Sequence, residues 1–127
     1  MKHIEDREQI ALMNFIRLRS NLHPQLRSVI HIPNGGRRDP KTAVRLKQSG
    51  VRAGVWDIFV PIPAPGLWIE MKIKPNRLTP TQREWRNELV PYGYKFRICY
   101  TWMEAADAIL AHVGMSPEFH TESEEIE

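Results

Sequence analysis

Two short apolar runs separated by a Pro/Gly turn constrain the fold of this chain more than any other part of it. Residues 54–72 read GVWDIFVPIPAPGLWIEMK, with an aspartate at the head of the first run and Glu-Met-Lys near the end of the second. Apolar and aromatic runs bounded by proline and glycine indicate strands. We therefore predict that DIFVPI and LWIEMKI form a hairpin-like pair joined at PAPG.

The second run carries two ionisable side chains on one face of its strand. Side chains alternate across a strand, so Trp68, Glu70 and Lys72 point to one side and the aliphatic residues between them to the other. A carboxylate and an ammonium group are costly to bury unless they are paired or bind something. An internal salt bridge, or the solvated face of an edge strand, would explain them as well as a functional site would.

Asp57 stands where the neighbouring strand begins, so it can lie beside Glu70. Two carboxylates without a compensating charge repel each other, and a hard divalent cation removes that penalty through oxygen ligands. Lys72 then fits as the group that holds or activates a water molecule. The three residues predict a metal site, for which Mg²⁺ or Mn²⁺ is the expected ion.

Length, composition and cysteine content predict one globular domain in a reducing compartment. The 127 residues, 42% of them hydrophobic, suffice for one core without disulfides or a structural metal. The single cysteine, Cys99, falls in a predicted strand, where core packing is its expected role. No apolar run reaches the ~18 residues that a membrane span needs, and the N-terminus is too polar for a secretion signal. We expect a cytoplasmic protein without a membrane partner.

Charge is distributed unevenly along the sequence. Residues 115–127 hold five glutamates and no lysine or arginine, whereas residues 1–114 hold 18 basic and 10 acidic side chains. The acidic end is expected to be a disordered tail, which leaves residues 1–114 as the folded domain. A body this basic favours an anionic polymer as partner, although charge alone does not separate nucleic-acid binding from general solubility.

An amphipathic helix is predicted from Ile4 to about Ser20. Glu8 lies near the middle of its apolar stripe, where a carboxylate needs an explanation. Either the first turn frays and Glu8 merely favours the N-terminal end of the helix dipole, or the helix delivers a third acidic group to the metal site. The stripe consists of Ile4, Ala11, Leu12, Phe15 and Leu18.

A glycine-containing loop and a basic helix follow. After a short strand at 28–32, the sequence PNGG at 33–36 either forms a tight turn or presents backbone N–H groups to a phosphate. Asp39 and Pro40 then begin a helix that Gly50 ends. Basic residues in this region would suit contacts to a phosphate backbone, unless they are only a solvated surface. They are Arg37, Arg38, Lys41, Arg45, Lys47 and Arg52.

A further helix begins at Thr79 and is expected to end near Gly93. Thr79 and Gln82 form a capping-box pattern, which by itself explains the glutamine. Arg83 and Arg86 lie on the following turn, from which they would reach a backbone phosphate. Residues 94–100 then alternate as a half-buried strand, and a last helix runs from 101 to about 113.

Six sequence segments, spread over nearly the whole chain except the acidic tail, carry a resemblance to a known family. They are Glu8-Gln9, PNGG at 33–36, RLKQSGVRAGVWD at 45–57, IEMK at 69–72, LTPTQREW at 78–85 and GY at 93–94. In this order the chain resembles the VRR-NUC subfamily of the PD-(D/E)xK nucleases. The resemblance implies an α/β fold with a restriction-endonuclease-like core, in which helices flank a mixed central β-sheet.

The resemblance also implies roles for individual residues. The family usually has proline before the metal-binding aspartate, whereas this chain has Trp56, which would alter the strand entry or give DNA an aromatic contact. By position, the metal ligands would be Asp57, Glu70 and the backbone carbonyl of Met71. The catalytic set would also include Lys72 as the catalytic lysine, Gln82 as a supporting residue and Glu8 as an additional acidic group.

The function implied by this resemblance is metal-dependent endonuclease cleavage of DNA that leaves 5′-phosphate and 3′-hydroxyl ends. Stand-alone members of the family are associated with four-way DNA junctions, whose resolution needs paired nicks. We therefore expect a homodimer that cleaves Holliday junctions in a bacterial or phage-infected cell, with Trp56, Trp68 and Trp102 as candidate interface residues. The alternatives are a restriction or repair nickase acting on duplex or flap DNA, and a DNA-binding module without catalysis.

Overall fold

A computed structural model describes residues 2–33, 39–121 and 124–125 of the chain. Over these residues it forms four α-helices and five β-strands, with short 3₁₀ turns at Pro24–Leu26 and Val90–Tyr92. The helices are α1 (Lys2–Ser20), α2 (Pro40–Gln48), α3 (Pro80–Leu89) and α4 (Trp102–His112). The strands are β1 (Ile30–His31), β2 (Ile58–Val60), β3 (Leu67–Met71), β4 (Lys95–Cys99) and β5 (Glu124–Glu125).

The strands form one mixed sheet in the order β1-β2-β3-β4-β5. The hairpin predicted at 57–73 is confirmed: β2 and β3 are antiparallel, with Ile58 opposite Ile69. β3 and β4 are parallel, with Glu70 beside Ile98, and α3 forms the connection between them. β1 and β5 pair antiparallel with β2 and β4. The α/β class and the mixed central sheet flanked by helices are therefore confirmed.

Both faces of the central strand β3 are buried, because each packs against a different layer. Leu67, Ile69 and Met71 belong to an aliphatic cluster built with residues of α1 and α4. Trp68 faces the other way, into an aromatic cluster with Trp56 and residues of α3 and β4. The alternation predicted for β3 is confirmed. β4 also has neighbours on both faces, so it is more enclosed than the half-buried strand expected, and Cys99 is fully buried in the core.

The predicted helix starts are confirmed by their capping contacts. Asp39 Oδ1 accepts a 2.8 Å hydrogen bond from the Thr42 amide at the start of α2. Thr79 and Gln82 form both halves of a capping box on α3. The hydroxyl of Thr101 accepts from an amide in the first turn of α4. Among the described residues, no helix combines the length and apolarity that a membrane crossing requires.

Three local expectations differ from the structure. The first strand is shorter than the predicted 28–32, because only Ile30 and His31 pair with β2. On α1, Ile16 is 2% exposed and belongs to the core, whereas Leu18 is 71% exposed, so the buried stripe is displaced from the one predicted. The glycines of the PNGG sequence lie outside the described residues, as do Arg37 and Arg38.

Residues 115–121 differ from the expectation of a disordered tail. The Asp107 carboxylate, 5% exposed, accepts hydrogen bonds from the amides of Glu118, Phe119 and Thr121 at 2.8–3.0 Å. Burial opposes ionisation of Asp107, but these hydrogen bonds outweigh it and lower its pKa. Phe119 also packs against Phe15, and β5 pairs with the outer edge of β4. This part of the tail is therefore held against the domain, because its amides supply hydrogen bonds to the buried Asp107 carboxylate.

Candidate active site

Asp57 is held at the start of β2 between the two neighbouring strands. Its backbone carbonyl accepts a 2.7 Å hydrogen bond from the Ile32 amide on the β1 side. Its carboxylate Oδ2 accepts a 3.0 Å hydrogen bond from the Met71 amide on β3. The backbone amide of Asp57 donates to Glu70 Oε1 at 3.3 Å. These contacts bring the two carboxylates together, as the sequence predicted.

Glu70 is almost completely buried, with 4% of the residue exposed. Its Oε2 accepts a 2.9 Å hydrogen bond from Gln82 Nε2 and lies 3.4 Å from Lys72 Nζ. Lys72 is itself enclosed, with 11% of its side chain exposed. The internal salt bridge considered from the sequence is therefore present, and it lies inside the cluster that also contains Asp57.

The electrostatics of the cluster show a shortage of positive charge. Burial, and then repulsion from Asp57, raise the pKa of Glu70 to about 8, although Lys72 acts in the opposite direction. One ammonium group thus does not compensate the buried carboxylate of Glu70 and the half-buried carboxylate of Asp57. A divalent cation would, because carboxylate oxygens are the ligands that Mg²⁺ and Mn²⁺ prefer.

The Met71 carbonyl points to the same side as the Asp57 carboxylate. The Lys72 N–H donates to the Cys99 carbonyl on β4. The Met71 carbonyl belongs to the same trans peptide and points the opposite way, so it faces away from β4. The Met71 amide confirms this direction, because it donates to Asp57. A backbone carbonyl is therefore available to complete an oxygen ligand set with the two carboxylates.

Gln82 has two functions that its two amide atoms divide between them. Its Oε1 accepts from the Thr79 amide at 2.9 Å and completes the capping box, while its Nε2 donates to Glu70. The capping role predicted from the sequence is confirmed, and the same side chain also reaches the candidate site. Gln82 therefore also fixes the orientation of the Glu70 carboxylate. A residue that served only as a helix cap would not contact that group.

The segment before Asp57 fixes α3 against the sheet. Trp56 is fully buried and its Nε1 donates a 2.9 Å hydrogen bond to the Gln82 carbonyl. Gly54 has φ 88°, and a Cβ there would lie 2.3 Å from the Thr81 carbonyl oxygen, so only glycine allows this approach. The expectation that Trp56 gives DNA an aromatic contact is wrong, because its ring is used to position α3.

Glu8 contacts a different part of the protein. Its Oε1 accepts a 2.9 Å hydrogen bond from the Trp102 amide, the first residue of α4, and so satisfies a helix N-terminus. In the ranges that the structure describes, no group of three or more His, Cys, Asp or Glu side chains is arranged to hold a metal ion. The structure brings Asp57 and Glu70 together but places Glu8 elsewhere. A role for Glu8 at the metal therefore stays a prediction.

The basic residues proposed for DNA contact differ in their exposure and in their contacts. Lys41, Arg45 and Lys47 of α2 and Arg83 of α3 are exposed, whereas Arg86 is half-buried. Arg52 forms a 2.6 Å ion pair with Glu88 and lies over the Trp85 ring. Arg37 and Arg38 lie outside the described residues. Four of these side chains are therefore openly available to an anion, and Arg52 is engaged on the protein surface.

Lys74 is a basic residue near the site that the sequence reasoning missed. It follows Lys72 at a spacing of two, and its Nζ lies 5.0 Å from the centroid of the Tyr100 ring. The available signal was its spacing from Lys72, which equals the spacing of Lys72 from Glu70. Lys74 itself lies in the turn that follows β3, whose last residue is Met71.

The fold and the clustered carboxylates, lysine and glutamine define an α/β protein whose mixed sheet, flanked by helices, carries a candidate metal site. The structure is similar to a solved structure described as a "VRR_NUC domain protein", with a TM-score of 0.69 and 24% sequence identity. The match covers 88% of this chain and 89% of that chain. The resemblance to VRR-NUC domains is thus confirmed at the level of the fold. No family model and no curated protein matches the sequence.

Proposed function

We propose that this protein is a metal-dependent DNA endonuclease, and a nuclease fold is the first support for that proposal. The observation that carries it is the enclosed cluster of Asp57, Glu70, Lys72 and Gln82. A protein that used this fold only to bind DNA would gain nothing from placing a buried carboxylate, Glu70, and a half-buried one, Asp57, beside one lysine, since the arrangement is costly without a cation.

The residues present fit a divalent cation of the Mg²⁺ or Mn²⁺ type. Asp57, Glu70 and the Met71 carbonyl would hold it, because all three offer oxygen atoms on the same side of β3. When bound, such an ion supplies a Lewis acid to the phosphate and lowers the pKa of a bound water. Gln82 keeps the Glu70 carboxylate oriented by donating to Oε2.

Lys72 would act on the water and the scissile phosphate. Its ammonium group is restrained within the site, with Nζ 3.4 Å from Glu70 Oε2. Once the carboxylates share their charge with a cation, the ammonium group can orient a water or stabilise negative charge that develops on the phosphate. The exposed basic residues of α2 and α3 would bind the DNA backbone without reading its sequence.

The preferred substrate under this proposal is a four-way junction and the active form a homodimer in the cytoplasm. The symmetry of the junction supports this proposal. A Holliday junction needs paired nicks, and a two-fold dimer places two identical sites at a fixed separation. The interface suggested from the sequence needs correction. Trp56 and Trp68 are buried, and Trp102 packs against Phe15 and Phe119, so these rings serve the core of one subunit.

A cleavage panel tests the proposed function. End-labelled four-way junctions, flaps and linear duplexes would be incubated with the protein in Mg²⁺, Mn²⁺ or EDTA, with Asp57→Asn as the inactive control. We expect cleavage of the junction in either metal and none in EDTA or with the variant. Equal cleavage of linear duplex or flap would indicate a nickase instead. Binding without cleavage in any metal would indicate a non-catalytic module, and light scattering would report the oligomeric state.

A further inference from the structure

Lys74 lies in the turn that follows β3, two residues beyond the enclosed Lys72. Glu70, Lys72 and Lys74 are evenly spaced in the sequence, although the strand itself ends at Met71. Lys72 is enclosed and lies against Glu70, whereas Lys74 is exposed to solvent. Among the residues that the structure describes, the ion pairs formed do not include Lys74. Its ammonium group is thus an exposed positive charge two residues after the enclosed lysine.

Tyr100 restrains that ammonium group. The parallel register places Met71 beside Cys99, and the Lys72 amide donates to the Cys99 carbonyl at 2.9 Å, so the register continues one residue further. Tyr100 is therefore beside Lys72, and its ring projects from the same face of the sheet. The Lys74 Nζ lies 5.0 Å from the centroid of that ring, a distance typical of a cation–π contact.

We propose that Lys74, held over the Tyr100 ring, binds a backbone phosphate of the nucleic acid adjacent to the one that is cleaved. A lysine side chain loses much rotamer freedom when it binds a phosphate, and a ring that already restrains it lowers that loss. A cation–π contact leaves the N–H donors of the ammonium group available, since the ring takes none of them as a hydrogen-bonded ion pair would. Tyr100 is then a positioning residue that acts through Lys74.

This inference rests on the proposed nuclease function, but it makes a separate prediction about binding. Lys74 would contribute to affinity and to KM, and Lys72 to the chemical step. The contrast follows from their positions, because Lys72 is in contact with Glu70 and Lys74 is outside the enclosed cluster. Loss of one phosphate contact should lower affinity about tenfold, the scale of one charge-assisted hydrogen bond, and reduce the salt slope by about one unit.

The test compares Lys74→Ala with Lys95→Ala, in DNA binding at several salt concentrations and in steady-state cleavage. Lys95 is an equally exposed lysine at the opposite end of β4, beside Leu67, and serves as the matched control. We expect Lys74→Ala to raise KM and Kd about tenfold with kcat little changed, and Lys95→Ala to behave as wild type. An unchanged Kd, an unchanged salt slope, or an equal effect of Lys95→Ala would overturn the proposal.

Two variants of Tyr100 test the positioning role. Tyr100→Phe keeps the ring and should keep wild-type affinity, whereas Tyr100→Leu should reproduce part of the Lys74→Ala defect and add little to it in the double variant. NMR gives a readout that does not need turnover, because the ring current should shift the Lys74 Cε protons in wild type and in Tyr100→Phe only. Equal behaviour of the Phe and Leu variants would overturn the role of Tyr100.

The outcomes separate this inference from the proposed function. If wild type binds DNA without cleaving it and Lys74→Ala weakens that binding, the Lys74 site is supported and the nuclease proposal fails. If wild type cleaves DNA and Lys74→Ala is unaffected, only the Lys74 site fails. If wild type shows no salt-dependent DNA binding, both fail.

Discussion

Removal of divalent metal should make the stability of this protein fall as pH rises. In the unfolded chain Glu70 ionises near its ordinary pKa of 4.5, whereas burial and Asp57 raise the pKa of the folded carboxyl to about 8. Between these values the folded state keeps a proton that the unfolded state has released. The stabilisation is complete below pH 4.5, declines by up to ~1.4 kcal/mol per pH unit above it, and is lost once pH passes 8, for a total of about 5 kcal/mol.

Urea denaturation in EDTA from pH 5.5 to 8.5 measures this effect, with Glu70→Gln as the reference. The variant loses the titrating group and also a hydrogen-bond acceptor, because its amide NH₂ must face the Asp57 amide on one side or Lys72 and Gln82 on the other. Its cost should therefore be independent of pH. His112, whose pKa is lowered by burial, contributes equally to both proteins and cancels in the difference.

Saturating Mg²⁺ should restore the stability lost at high pH, since the ion binds the folded site with Glu70 ionised. Metal binding near pH 7 should accordingly release about one proton, which calorimetry in two buffers of different ionisation enthalpy would detect. Parallel pH profiles for wild type and Glu70→Gln in EDTA, together with metal binding that releases no proton, would refute the electrostatic description of the site.

Three further predictions, two of them with a matched control variant, test other parts of the structure. Gln82→Ala should reduce cleavage by about 10–100-fold. Thr79→Ala, which removes only the helix cap, should cost about 1 kcal/mol of stability and keep activity. Equal losses of activity in the two variants would contradict a role for Gln82 in orienting Glu70. Asp107→Ala should make residues 115–121 sensitive to limited proteolysis and lower the free energy of unfolding by about 1–3 kcal/mol. Glu118→Ala, which removes an exposed ion pair with α1, should lower it by under about 1 kcal/mol. Arg45→Ala should weaken binding to every DNA sequence alike and reduce the slope of log affinity against log salt by about one unit. An unchanged slope would indicate that α2 is only a solvated surface.

The parts of the fold that the sequence predicted depend on neighbouring residues. The Asp39 and Thr79 caps join groups three residues apart, and the turn at PAPG pairs the two strands that it connects. Asp57 and Glu70 could be associated for the same reason, since the hairpin that contains them is local. Contacts between residues this close in the chain correspond to recognisable sequence patterns, such as a capping box or two strands flanking a turn.

The parts that the sequence did not predict depend on contacts between distant segments. Glu8 lies within an apolar stripe, and its contact to an amide 94 residues away leaves no signal in the sequence around it. Composition indicated disorder after residue 114, yet Asp107 binds residues 118–121 in a way that composition cannot report. From the sequence, Trp56 is expected to alter the strand entry or to contact DNA. Its actual partner, the Gln82 carbonyl, lies on a helix whose packing the sequence does not determine.

The most direct test of the central claim is a crystal structure of the protein soaked in Mn²⁺, with data collected for the anomalous signal of the metal. The proposed function predicts an anomalous peak in contact with the Asp57 and Glu70 carboxylates and the Met71 carbonyl, with Lys72 displaced from Glu70. The same peak should be absent in Asp57→Asn. A saturated crystal that shows no peak there, and in which Lys72 still contacts Glu70, would contradict the claim that these carboxylates form a metal site.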